Sequence, residues 1–344
     1  MAYSNLVDTV TNQYLVPAVV DTVLRDNMFF GEVLAKTEKF RSPTMLFPIK
    51  YQTGVPGVAF SGFDVLPIAA QNTRVNMTYL PKFFTVNVAL AGTDLSVNDT
   101  EMQVLDLAEI EMKSRAQDMA DAVGNLFYLD GTSFSGKAFL GLGALVDDGS
   151  TVATIGGLSR ATYPTLQGTV TASGGTLSLL KMRQLSNSIS DGIVQPDMVL
   201  TSYNIYALYE QLVLPFQRII TEVSGVREKM YGAAAYRALS WDGLQVMRDR
   251  KVDTNAPGTM YMLNLNFLKF YGLKYWKGTP VSLKSKYIKG NIYTEGRDAG
   301  QAFTWTGWIN GFNMAAVNSF IIMGGELLTD DPRRQGKLTG ITSI

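Results

Sequence analysis

From Thr44 to Leu90 the chain alternates apolar and polar positions with a period of two. Met45-Leu46-Phe47-Pro48-Ile49-Lys50-Tyr51 predicts one strand, and Arg74 to Leu90 predicts a return arm. Within that arm Val75, Met77 and Tyr79 share one face, while Val86, Val88 and Leu90 share another after Pro81. Between the arms Gly54, Pro56, Gly57, Gly62 and Pro67 mark a turn-rich tip. The pattern describes a long β-hairpin. A lone two-stranded hairpin is marginal in water, so one of this length needs another surface to lie on.

The period then changes. Val104, Leu105, Ala108, Met112, Met119, Ala122, Val123, Leu126 and Phe127 recur at helical spacing, predicting a helix from Glu101 to about Leu129. Thr100 can cap it, Glu101, Asp106 and Glu109 suit its positive end, and Asp130-Gly131 can close it. Such a helix is about 43 Å long, beyond the usual globular length. Ahead of the hairpin, short apolar pieces (Leu6, Val7, Val10, then Leu15 to Val23) mix with charge. A short helix is expected from Leu24 to Leu34, interrupted by Gly31. This segment cannot close a core alone. After the long helix come a Gly/Ser/Thr-rich stretch (131–175), a second helix from Leu177 to Ser190 and a buried strand from Gln195 to Thr201. A helical stretch then runs from Tyr203 to about Leu214. Further short strands fall at 243–247, 260–265 and 287–293. Ala302 to Ile322 reads as strand, and Gly324-Gly325-Glu326-Leu327 leads into a tail.

Composition narrows the chemistry. The chain has 344 residues, 46% hydrophobic and 17% charged, enough to bury a substantial core. Thirty basic side chains balance thirty acidic ones, so no overall field draws it to nucleic acid. Cysteine and histidine are both absent. Disulfides, thiolate nucleophiles, Ser-His-Asp catalysis and His- or Cys-ligated metals are thereby excluded. The start, Met1 to Pro17, lacks the charge and apolar run of a signal peptide. No stretch reaches the roughly 18 apolar residues that cross a membrane. A reducing, soluble compartment is expected.

Local motifs resolve into turns. Gly131-Thr132-Ser133-Phe134-Ser135-Gly136-Lys137 has the glycine and lysine spacing of a phosphate loop, but Ala138 stands where a hydroxyl is needed and no strand precedes it. Gly141-x-Gly143 leads to Val146 where a dinucleotide fingerprint needs a small residue. Asp147-Asp148 and Asp330-Asp331 read as solvated turns. Arg218, Arg227 and Lys229, and Arg248, Arg250 and Lys251, lie among acids and suit subunit contacts better than phosphates. No catalytic, cofactor-binding or metal site emerges.

Several stretches, taken in order, resemble the Hong Kong 97-type major capsid protein of tailed bacteriophages. Asn125-Leu126-Phe127-Tyr128-Leu129-Asp130-Gly131 followed by Phe139 to Asp148 is similar to that family's passage from helix end to glycine-rich loop. Val152 to Arg160 with Thr162-Tyr163-Pro164, Gln195 to Ser202 with Tyr206 and Leu208, Trp241 to Val246 and Gly258 to Asn264 resemble its later strands and helices. The resemblance spans nearly the whole chain. It implies an α+β fold with an N-terminal arm (1–43), an extended hairpin loop (44–92) and a peripheral domain carrying a long spine helix (93–200). An axial domain (201–301) and C-terminal strands completing the peripheral domain (302–344) follow.

The implied role is structural, not enzymatic: self-assembly through hexameric and pentameric capsomers into an icosahedral shell around double-stranded DNA, in the virion, after assembly in host cytoplasm. Separate scaffolding, portal and decoration proteins are partners such a shell can have, and no membrane is involved. Expected inter-subunit contacts are Val55, Phe60, Phe63 and Leu66 at the hairpin tip, and Phe216, Arg218, Arg227 and Tyr231 near a capsomer axis. The alternatives are an encapsulin-like cargo shell of the same fold and a histidine-free, carboxylate-dependent hydrolase, which needs two acids about 5–9.5 Å apart.

Overall fold

A computed structural model describes residues 28–35, 38–39, 42–54, 57–65, 71–97, 101–213, 240–272, 303–305, 309–310 and 315–344. The expected arm upstream of Met28, the Thr100 cap, the strand at 287–293, and Val55, Leu66, Phe216, Arg218, Arg227 and Tyr231 lie outside these residues.

The chain forms two compact units, residues 1–167 with 267–332, and residues 168–266 with 333–344. The first begins with helix α1 (Met28–Ala35), strands β1 (Glu38–Lys39), β2 (Met45–Lys50), β3 (Arg74–Tyr79) and β4 (Lys82–Ala91), and helix α2 (Gly92–Val97). Helix α3 (Glu101–Leu126), short turns α4 (Ser133–Gly136) and α5 (Leu142–Leu145), and the small pair β5 (Thr154–Ile155) and β6 (Leu158–Ser159) follow. The second unit opens with β7 (Thr169–Thr176), α6 (Leu179–Ile189), β8 (Met198–Thr201) and α7 (Tyr203–Val213). It continues through β9 (Ser240–Trp241), β10 (Leu244–Arg248), α8 (Arg250–Asn255) and β11 (Met260–Leu263). The chain then returns to the first unit with β12 (Leu268–Gly272), β13 (Phe303–Trp305), β14 (Ile309–Asn310) and β15 (Ala316–Thr329). Strand β16 (Gly336–Ser343) belongs to the second. Residues 302–344, grouped together in the sequence reading, are therefore shared between the two units.

In the first unit β15 is the organising strand. It pairs antiparallel with β4 along ten residue pairs, from Ala316↔Ala91 to Gly325↔Lys82. Its other edge takes β14, β13 and β12. Three expectations change here. The arm Arg74–Leu90 is not one return strand: it breaks at Leu80-Pro81, β3 alone pairs with β2, and β4 joins β15. A proline lacks the N–H needed to continue the ladder, so the chain switches sheets there. The Gly324-Gly325-Glu326-Leu327 run is not a lead-in to a tail but the buried middle of β15. A Cβ at Gly325 would lie 2.5 Å from the Tyr271 carbonyl oxygen and 2.6 Å from the Phe270 ring, so glycine lets β12 close against the strand. The expected single strand over 302–322 is likewise three pieces, β13, β14 and the start of β15.

Helix α3 forms as its spacing predicts, with Ala108, Met112, Met119, Ala120 and Val123 buried and charged residues outward. At 26 residues it is about 39 Å long, ending three residues short of the expected point. Glu109–Lys113 and Arg115–Asp118 pair along its exposed side at 2.5 and 2.8 Å. Its end is held by Gly141-Leu142-Gly143: the Leu142 N–H donates to the Phe127 carbonyl at 2.7 Å. A Cβ at Gly141 would fall 2.4–2.6 Å from three helix-end carbonyl oxygens. These glycines are there for close backbone approach, not for a dinucleotide. Helix α1 runs through Gly31 without interruption and places Phe29 5.9 Å from Tyr128 and 6.4 Å from Phe127. Phe127, Phe139 and Phe270 complete an aromatic cluster with centroids 5.9–6.2 Å apart.

The second unit is a six-stranded sheet in the order β7-β16-β11-β8-β10-β9. β8 and β11 are buried at every position, which explains the runs Met198-Val199-Leu200 and Met260 to Leu263. Met182, Leu185 and Ile189 of α6 and Ile205, Tyr206 and Tyr209 of α7 pack into the same core as Val199, Val246, Met260 and Leu338. Ser178 caps α6, its Oγ accepting from the Lys181 N–H at 3.3 Å.

Between α5 and β7 the chain has little regular structure, and a buried guanidinium supplies the order. Arg160, fully buried, donates from Nε to the Leu166 carbonyl (3.1 Å), from Nη1 to the Val152 carbonyl (2.9 Å) and from Nη2 to the Ala144 carbonyl (2.5 Å). Its counter-charge is Asp147 Oδ2 at 3.3 Å. That oxygen also accepts from the Gly149, Thr151 and Val152 N–H groups. Asp147 is therefore an internal ion-pair member and not a solvated turn acid, while half-buried Asp148 accepts from the Ser150 N–H as a turn residue does. Removing one member of a buried pair leaves the other uncompensated. Arg160→Met is expected to destabilise the protein by roughly 3–5 kcal/mol, read from urea denaturation. A loss below about 1 kcal/mol would show that the loop is held by something else.

Candidate assembly surface

The hairpin is built as an asymmetric plate. β2 and β3 pair antiparallel from Met45↔Tyr79 to Lys50↔Arg74. Alternation puts Phe47, Ile49, Val75, Met77 and Tyr79 on one face and Leu46, Pro48, Lys50, Arg74, Asn76 and Thr78 on the other. The first face lies on the body of its own unit. Phe47 meets Tyr79 and Tyr271 at centroid distances of 5.9 and 5.3 Å. The Thr78 N–H donates to the Gly156 carbonyl at 2.9 Å, and Tyr51 meets Tyr163 edge-on at 5.2 Å. Gly156 sits at φ +55°, and a Cβ there would come within 2.6 Å of the Met77 side chain, so the β5–β6 turn can support the hairpin only with glycine. Burial drives the Tyr79 phenol well above its ordinary pKa, so it stays protonated.

The second face and the tip are bare. Val58, Phe60, Phe63 and Val65 are 59%, 65%, 106% and 94% exposed, and Leu46 and Leu80 at the other end are 59% and 58% exposed. Single exposed apolar residues are ordinary, but four within eight positions form a patch of the kind that marks an interaction site. A tight turn shapes it: the Asp64 N–H donates to the Ser61 carbonyl at 3.0 Å, and Asp64 Oδ2 accepts from the Ser61 N–H at 2.8 Å. Of the expected contact residues, Phe60 and Phe63 are thus placed together on an exposed tip. Val58 and Val65 are exposed beside them. Elsewhere, Arg248 lies over the rings of Tyr203 and Tyr206 at 5.2 and 5.0 Å, so of the group Arg248, Arg250 and Lys251 the first is engaged within its own unit, and Asp249 caps α8 by accepting from the Lys251 N–H.

The phosphate-loop-like segment is an exposed turn. Phe134 and Ser135 are left-handed, and Asp130 Oδ1 accepts from the Thr132 N–H and hydroxyl at 3.0 and 2.6 Å. Those bonds hold the Asp130 carboxyl below its usual range. Among the described residues no group of three acids could bind a metal, and no helix is long and apolar enough to cross a membrane.

One buried acid had no signal in the sequence. Glu326, 1% exposed in β15, accepts from the Leu140 N–H at 2.5 Å, and Lys82 of β4 donates to the Gly136 carbonyl. The two side chains together hold the loop after α3 against the sheet. Burial raises the Glu326 carboxyl from an ordinary 4.5 to about 8, opposed by the Leu140 N–H and the Lys82 charge.

No protein-family model and no curated protein sequence matches the chain. Solved structures do. The chain is similar to the subunit of the cyanophage A-1(L) capsid, with TM-score 0.69 at 15% identity over 92% of this chain and 93% of that one. It is similar to the SrpI encapsulin of Synechococcus elongatus, with TM-score 0.57 at 9% identity over 91% and 87%. It is also similar to the capsid of a native GTA particle, with TM-score 0.54 at 10% identity over 90% and 88%. The chain has the α+β fold of tailed-phage capsid proteins, a fold also found in an encapsulin.

The raised Glu326 pKa sets a testable pH dependence. Because the folded carboxyl holds its proton more tightly than the unfolded one, its contribution to stability is full below about 4.5 and is lost as pH rises toward 8. Glu326→Gln, which keeps an acceptor for the Leu140 N–H and cannot ionise, should flatten that decline. Melting temperatures of wild type and variant at pH 5.5, 7 and 8.5 check it. Parallel curves would mean that Glu326 does not titrate in this window.

Proposed function

We propose that the chain is a structural shell subunit, not an enzyme, that self-assembles into the icosahedral capsid enclosing a tailed-phage genome. The observation that carries this reading is the match along 92% of the chain to a cyanophage capsid subunit at TM-score 0.69. The bare, apolar hairpin tip adds a surface that a repeated assembly would cover. Val55, Phe60, Phe63 and Leu66 then contact an adjacent subunit, and Phe216, Arg218, Arg227 and Tyr231 lie near the axis of a hexamer or pentamer. Residues 1–43 form the sideways-reaching arm and 44–92 the clamping hairpin. Residues 201–301 form the axial domain; its described parts, 201–213 and 240–266, lie in the unit of 168–266 with 333–344, whose self-contained sheet supports a separate body there. The shell resides in the virion, assembles in host cytoplasm with separate scaffolding, portal and decoration proteins where these exist, and meets packaged DNA on its inner face without sequence preference.

The encapsulin match at TM-score 0.57 supports a second reading, a cargo shell of the same fold, which differs in what the particle contains. Negative-stain electron microscopy and sedimentation of the purified protein test both. Closed shells, pentamers or hexamers are expected, with DNA inside particles from infected cells and packaged protein in the encapsulin case. A monomer that persists when the proteins encoded beside it are co-expressed would refute the shell role. Replacing residues 54–67 by a short Gly/Ser link should leave a subunit that melts within a few degrees of wild type and closes no particles. Normal particle yield from that variant would reject the clamp.

A further inference from the structure

The exposed face of the hairpin carries an unfavourable arrangement that no other described residue relieves. Lys50 and Arg74 are directly opposite each other on the last rung of the β2–β3 ladder, and both side chains are exposed. Like charges directly across an antiparallel pair destabilise it. Among the described residues neither has a carboxylate partner. The remaining exposed side chains of that face, Leu46, Pro48, Asn76 and Thr78, are neutral. Among the described residues the two-stranded sheet that bears the pair has no third strand to stabilise it.

We infer that Lys50 and Arg74 form a cationic clasp for one or more carboxylates of a second copy of this chain. This inference rests on the shell reading and names the chemistry of the hairpin contact within it. A protein occupant is favoured over a nucleic acid by what flanks the pair. Leu46 and Leu80 lie at one end of the hairpin, and Val58, Phe60, Phe63 and Val65 at the other, all exposed. A surface that buries both apolar zones passes over the cations between them. A phosphate backbone offers nothing to cover the apolar zones. The partner can be an identical chain because the sequence is charge-balanced, with thirty acids for thirty bases, so every copy brings carboxylates as well as cations. Arg74 can engage a carboxylate through two parallel N–H bonds and Lys50 as a point charge beside it. Once seated, the acid turns a repulsive rung into an attractive one, so the hairpin gains order on assembly.

The arrangement makes two effects of one substitution point in opposite directions. Lys50→Glu places opposite charges on the rung, so the free subunit should melt at the same temperature as wild type or higher, while the assembled fraction should fall at least tenfold. K50R, which keeps the charge, should assemble as wild type does. In shells grown from mixed normal and nitrogen-15-labelled subunits, a carbodiimide should join Lys50 to an Asp or Glu, with half-labelled cross-linked peptides proving that two chains are involved. Wild-type yield from K50E, or Lys50 cross-links confined to single chains, would overturn the clasp and leave the shell reading intact. Wild-type protein that never assembles would overturn both.

Discussion

The guanidinium of Arg160 orders a stretch of chain that regular secondary structure leaves largely untied. Between residues 144 and 166 only short turns and the small β5–β6 pair form, yet the backbone carbonyls of Ala144, Val152 and Leu166 converge on one side chain. A buried cation is tolerable only when its hydrogen-bonding capacity is filled and its charge is matched. Asp147 supplies the charge and spends its remaining capacity on three N–H groups of the following turn. The consequence reaches outward in steps. A fixed loop fixes the Gly156 turn, the turn receives Met77 and Thr78, and the hairpin takes its direction from that seat.

Seated in this way, the hairpin has one face turned inward and one exposed. Packing of Phe47, Met77 and Tyr79 against the body satisfies one face, so the other remains available without threatening the fold. Inside the unit the reverse holds: Glu326 and Lys82 are polar groups used internally, each holding a backbone atom of the loop beyond α3. Apolar groups exposed and polar groups enclosed invert the usual distribution, and each inversion marks a place where something must be held.

How much of this could be read from the sequence depended on how local the cause was. The β2 and β3 alternation and the α3 spacing are set by neighbours within a few residues, and both elements appear within a few residues of where the pattern put them. Pro81 was visible as a change of face, but the partner that claims β4 lies at Ala316–Thr329, and no local pattern points so far along the chain. Gly324-Gly325 looked like the lead-in to a tail because glycines usually interrupt strands; here Gly325 admits the Phe270 ring and the Tyr271 carbonyl, which only the folded chain brings near. Asp147 was read with its neighbour as a solvated pair, and the arginine that buries it stands thirteen positions on, outside any turn motif. At the hairpin tip Phe60 and Phe63 were legible because large apolar residues in a Gly/Pro-rich turn have no local core to join. Val58 and Val65, exposed in the same turn, obey the same logic.

The placement of β15 and β16 bears on when the molecule can exist at all. β15 is the strand on which the first sheet is assembled, and β16 stands between β7 and β11 in the second. Both are translated after nearly everything they pair with. A nascent chain therefore reaches residue 315 with two unfinished sheets, each with unpaired backbone where its missing strand belongs. Neither sheet can close during synthesis of the first nine-tenths of the chain, and chains broken off early are left with neither one complete. That ordering acts as an inspection step: the chain acquires its fold only after the ribosome has read past both strands.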